Sequence, residues 1–102
     1  MNLQNEVQSF SLGQTCITPS ARNRLHPVDV YQAVARHARG DWGDLCPEDV
    51  KENEMSLKEG FRLLSAYADR NGTTFWVITE ADRSATNVDL NISHLMLSLQ
   101  KC

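Results

Sequence analysis

The sequence predicts a single α+β domain: two helices packed on a three-stranded antiparallel meander, with a short C-terminal helix. Three observations predict it. Two segments open on proline and close on glycine with apolar residues at helical spacing between them. After Gly60 the apolar period falls from about 3.6 to about 2. Asn71-Gly72, a strong hairpin signal, then joins two runs rich in aromatic and β-branched residues.

The elements follow in chain order. Residues 1–25 form an irregular N-terminal segment, in which Phe10, Leu12, Cys16 and Ile17 around Gly13 suggest a short extended piece. Within it TPSARNRL has the composition of one or two helical turns with Pro19 at the first position. Residues 27–60 form the helical pair. Pro27 opens the first helix, Asp29 complements its N-terminal dipole, Val30, Tyr31, Val34, Ala35 and Ala38 make its apolar face, and Gly40 ends it. The second helix begins at Pro47-Glu48-Asp49 and ends at Gly60, and its apolar stripe is thin. At about 100° per residue from Val50, Leu57 and Phe61 share one side while Asn53 and Glu54 fall on or beside it.

Residues 61–90 form the meander, with strands in RLLSAYAD, TTFWVIT and ATNVDL. A two-residue turn at Asn71-Gly72 would pair Tyr67 with Trp76, Ser65 with Ile78 and Leu63 with Glu80. Ala66, Ala68, Phe75 and Val77 would lie on the opposite face. Both faces are then partly apolar, so one meets the helices and the other needs a cover from the chain termini or from a second subunit in a homodimer. Residues 91–102, with Ile92, Leu95, Met96 and Leu99 behind an Asn91 cap, form the C-terminal helix that could supply that cover.

Composition narrows the function classes. At 102 residues the chain builds one domain with one core. No apolar run reaches the roughly 20 residues that span a bilayer, and MNLQNEVQSF has neither the basic start nor the apolar stretch of a signal peptide, so a cytoplasmic protein is expected. Cys16, Cys46 and Cys102 are odd in number and form no CxxC pair, which predicts reduced thiols. The net charge of −3 speaks against nucleic acid as a partner. Charge is nonetheless polarised: residues 20–39 sum to +3 and residues 41–59 to −5.

The segment HARGDWGDLCPEDVKENE, residues 37–54, concentrates the candidate residues. On one reading GDWGDL is a shaped corner: Gly40 and Gly43 bend the backbone, Asp41 or Asp44 holds turn amides, and Trp42 plugs the helices against the sheet. On another, Trp42 stands exposed beside the acids as an anchor for a protein partner. The turn EADRS adds Glu80, Asp82 and Arg83: either Asp82 and Ser84 are ordinary turn residues and Arg83 is solvated, or Arg83 pairs with Glu54 or Glu80, with Arg62 as the other candidate partner for Glu54. A partner-binding surface of Trp42, Asp41, Asp44, Glu54, Glu80, Asp82 and Arg83 follows. The enzymatic alternative is a metal-dependent nuclease, with His37 as general base, Asp41, Glu54 and Glu80 in the catalytic cluster, and Asp41, Glu54, Glu80 and Asp82 as ligands to a hard cation. No recognised metal spacing, phosphate-binding loop or nucleophile elbow is present, so no cofactor is expected. His26, His37 and His94 are scattered and read as surface or cap residues.

From about Cys16 to Leu90, the runs ITPSA, VARHARGDWGDL, EDVKENE, GFRLLSAY and NGTTFWVITEADRSAT resemble a family of small bacterial proteins carried by plasmids, prophages and other mobile elements. GDWGDL and WVITEADRS carry the resemblance most specifically. Some relatives are labelled as linked to type I restriction or modification, which implies association with such systems, because a methyltransferase needs a larger cofactor-binding sheet than this chain can build. Asn87, Asp89 and the ending NISHLMLSLQKC depart from the family's apolar last strand and short close. The expectation is therefore a non-catalytic interaction or regulatory module of a mobile element, with defence or antirestriction as its setting.

Overall fold

The computed structural model describes residues 8–90. Its elements are β1 (Gln14–Ile17), α1 (Pro19–Arg24), α2 (Pro27–Ala38), α3 (Pro47–Glu59), β2 (Leu63–Ala68), β3 (Thr74–Thr79) and β4 (Ala85–Asp89). The class is α+β as expected, but the sheet is four-stranded and mixed, in the order β1-β4-β3-β2. The predicted meander is its antiparallel part. The difference lies in the N-terminal segment, where the helical turns suggested for TPSARNRL form α1 and the suggested extended piece becomes a fourth strand that pairs parallel with β4. The C-terminal helix expected over 91–102 lies outside the described residues.

Local signals set the helices. Thr18 caps α1 by accepting from the Ala21 amide at 3.3 Å, with Pro19 at the first position. His26 Nδ1 accepts from the Val28 amide at 3.2 Å and caps α2. Gly60 ends α3 at φ 81°, its amide donating to the Ser56 carbonyl.

The hairpin register differs from the expected one by a residue. Tyr67 pairs with Phe75, Ser65 with Val77 and Leu63 with Thr79. The cause is the turn. The Gly72 amide donates to the Asp69 carbonyl at 2.8 Å, the Asp69 amide donates to the Thr73 carbonyl at 3.0 Å, and Gly72 takes φ 82°. This is a three-residue loop, Arg70-Asn71-Gly72, with glycine at the left-handed position of a bulge. Asp69 Oδ1 holds it by accepting from the Asn71 and Thr73 amides. A shift of one residue turns every β3 side chain over, so Phe75 and Val77, not Trp76 and Ile78, join Tyr67 on the helix-facing side.

That side forms the core, where Tyr67, Phe75, Val77 and Val88 pack against Ala21 of α1, Leu25 just past it and Ala33 of α2. Small alanines let the helices approach closely, and burial on this scale is worth about 1.5–3 kcal/mol for each large side chain. The opposite face carries Leu64 and Ile78, which are also buried. Among the described residues, no helix is long and apolar enough to cross a membrane.

Candidate functional site

The corner between α2 and α3 is built around β2. Gly43 forms a parallel bridge with Ala66, the Ala66 amide donates to the Trp42 carbonyl at 3.2 Å, and the Asp44 amide donates to the Ala66 carbonyl at 2.8 Å. A Cβ on Gly43 would overlap the Ala66 carbonyl oxygen and crowd the Tyr67 ring, and its φ is 75°, so both space and backbone require glycine here. Asn53 continues the cover. Its Oδ1 accepts from the Leu64 amide at 3.1 Å and its Nδ2 donates to the Leu64 carbonyl, so a carboxamide on a helix pairs with a strand residue as a neighbouring strand would. Along β2, Leu64, Ala66 and Ala68 turn their backbone groups away from β3, and those of Leu64 and Ala66 are satisfied by Asn53, Trp42 and Asp44. The outer edge of β2 is thus covered from Leu64 to Ala66.

Trp42 is the plug and not an exposed anchor, with 4% of its surface accessible. Its indole stacks on Phe10 at 6.1 Å and meets the His37 ring edge-on at 5.6 Å, while Nε1 donates to Glu54 Oε2 at 2.8 Å. Asp41 Oδ1 accepts from the Gly43 amide at 3.2 Å, and the carboxylate takes two bonds from Arg36. Those hydrogen bonds, the Arg36 one foremost, hold the Asp41 carboxyl below the usual range. Tyr67 Oη donates to the Asp41 carbonyl at 2.6 Å, and burial pushes the phenol's pKa up.

His37, expected at the surface, is fully buried. Nδ1 lies 2.5 Å from Ser65 Oγ and Nε2 lies 2.8 Å from Thr79 Oγ1. The line continues from Thr79 to Thr86 at 2.7 Å and from Thr86 to the Leu12 carbonyl at 2.7 Å. A carbonyl only accepts, so its end sets the direction of the whole series. Thr86 donates to Leu12, Thr79 donates to Thr86, and His37 Nε2–H donates to Thr79, which leaves Nδ1 to accept from Ser65. The ring is neutral: burial, with the Arg83 charge adding to it, lowers its pKa from 6.5 to about 3. A ring with no accessible surface and both nitrogens engaged does not reach a substrate, which overturns His37 as a general base.

The remaining candidates are spent separately. Glu80 pairs with Arg62 at 3.1 Å. Asp82 Oδ1 accepts from the Ser84 amide at 3.0 Å, an ordinary turn contact. Arg83, expected to pair with Glu54 or Glu80 side chains, instead donates to the backbone carbonyls of Ser56, Phe61, Glu80 and Ala81. It does so from a left-handed backbone at φ 62°, and it fastens the end of α3 to the β3–β4 turn. Among the described residues no group of three or more His, Cys, Asp or Glu is placed to hold a metal ion, so Asp41, Glu54, Glu80 and Asp82 do not form the cation site of the enzymatic alternative. Cys16 is a free, exposed thiol, whereas Cys46, expected reduced, is disulfide-bonded.

Glu54 also leads outward to an open depression. A hollow of about 460 Å³ on α3 is lined by Glu54, Met55, Leu57, Lys58 and Glu59. Met55 is 57% exposed, and Phe61, just past the end of the helix, is 56% exposed. Residues 47–59 carry five acids against two lysines, so the apolar groups sit in a negative frame. The sequence carries a modest signal for this surface: Met55 falls about 140° round the helix from Val50, on the polar side, where an apolar residue has no core to join. Comparison of the chain with family models, curated proteins and solved structures finds no match.

Proposed function

We propose that this chain is a non-catalytic protein-interaction or regulatory module of a bacterial mobile element, acting in a defence or antirestriction setting, and that it engages its partner through the outer face of α3. The observation that carries the binding surface is the exposure of Met55 in an acidic hollow, with Phe61 exposed just past the end of the helix. Exposed apolar side chains framed by charge are what an interface uses: the apolar groups supply affinity and the charges select the partner. The complementary surface presents apolar side chains ringed by Lys and Arg. The setting rests on the resemblance of GDWGDL and WVITEADRS to proteins of mobile elements.

The test is affinity capture from a bacterial host with the wild type, a Met55→Lys, Phe61→Ser double variant, and Trp42→Ala as a comparison. The wild type is expected to retain a partner in stoichiometric amount, released by high salt, and the double variant to lose it while keeping its circular dichroism and melting temperature. Equal retention by the wild type and the folded double variant would remove α3 as the contact surface. Retention of nothing by the wild type would remove the interaction reading itself.

A further inference from the structure

We infer that β1 is a docking edge for a second copy of this chain, the two β1 strands pairing antiparallel about a two-fold axis beside Cys16. This goes beyond the α3 surface and does not rest on it. Among the described residues β1 is the outermost strand of the sheet, and Gln14, Thr15 and Cys16 are exposed. The Gln14 amide donates to the Ser84 carbonyl and the Thr18 amide to the Val88 carbonyl, both at 3.0 Å, so even-numbered residues turn their backbone toward β4. Alternation then points the N–H and C=O of Thr15 and Ile17 away from the sheet.

The outward ladder has defined ends. On one side the Gly13 amide is engaged by Ser11 Oγ at 3.3 Å, and on the other the next outward position is Pro19, which has no N–H. Two residues remain, placed symmetrically about Cys16. In an antiparallel pair centred there, Thr15 faces Ile17 of the second copy and Ile17 faces its Thr15, and each pair exchanges two hydrogen bonds. Each copy thus supplies what the other lacks.

Charge favours the same occupant. Residues 11–17 carry no charged side chain, so two copies meet without repulsion, and β1 has none of the lysines, prolines or bulges that keep edge strands apart. Cys16 would face its counterpart as a non-hydrogen-bonded pair with Cα atoms about 4.5 Å apart, within the range a disulfide accepts. Its thiol is free, so it reports the arrangement directly.

The experiment uses the full chain. Sedimentation across a wide concentration range is expected to show a monomer passing to a dimer. Diamide, which takes two electrons and two protons from a pair of thiols, is expected to trap that dimer through Cys16, as read by peptide mass. Thr15→Pro removes one outward donor per strand, and a Thr15→Lys, Cys16→Arg double variant sets like charges face to face. Each is expected to weaken dimerisation at least about tenfold while the melting profile of the monomer is kept; the second serves if proline disturbs β1. A monomer at every concentration, a dimer that yields no Cys16 link, or a dimer indifferent to both variants overturns the inference. Capture through α3 is measured on the monomeric double variant, so the two readings fail independently.

Discussion

At the level of single residues, His37 and Asn53 show how polar side chains become part of the interior. His37 was legible as a histidine near the end of a helix, but its partners lie 28 and 42 positions away, and no local pattern joins them. Its burial has a pH consequence with a definite sign. The folded state keeps the ring neutral down to about pH 3, whereas the unfolded chain takes up a proton below about 6.5. The unfolded state therefore binds more protons inside that window, and stability falls as pH falls through it. Between pH 7 and pH 5, where carboxylates change little, the loss should reach about 2 kcal/mol. Urea titrations at both pH values check this, with His37→Gln expected to show almost no slope over the interval. Asn53 reads in the sequence only as a polar residue misplaced on an apolar stripe. Asn53→Ala would leave the Leu64 amide and carbonyl buried without partners, at about 2–4 kcal/mol, which a thermal melt would detect.

At the level of elements, legibility followed locality. Proline, glycine and capping residues act within a turn of their own position, so α2 and α3 were found with their ends. The hairpin was found but not its register, because Asn-Gly is compatible with two loop lengths and the carboxylate of Asp69 selects the longer one. β1 was unreadable as a partner of β4 because a parallel pair depends on contacts about 70 residues apart along the chain. The corner reading of GDWGDL is what the structure contains, and it makes a prediction at this scale. The Leu64 and Ala66 amides, on the outermost antiparallel strand, should exchange with deuterium about as slowly as amides of β3. Gly43→Ala, forced against Ala66, should accelerate the Ala66 amide at least about tenfold; unchanged exchange would show that the corner does not hold the strand.

At the scale of the whole molecule, the polarity counted in the sequence survives folding as a division between elements. α1 and α2 contain three of the four arginines of residues 20–39, and α3 contains most of the acids of residues 41–59. Raising ionic strength from about 0.05 to 0.5 M should therefore weaken capture of the α3 partner, because screening shortens the reach of an exposed charged frame. Salt-independent capture would assign the contact to Met55 and Phe61 alone. The covered flank of β2 has a further consequence, for stoichiometry. A sheet open on both sides can add copies without limit, whereas here Trp42, Gly43, Asp44 and Asn53 cover the far side from Leu64 to Ala66 and leave Ala68 at its end. The corner thereby opposes a second strand addition on that side, so a pairing through β1 would favour a closed dimer over growth into fibres.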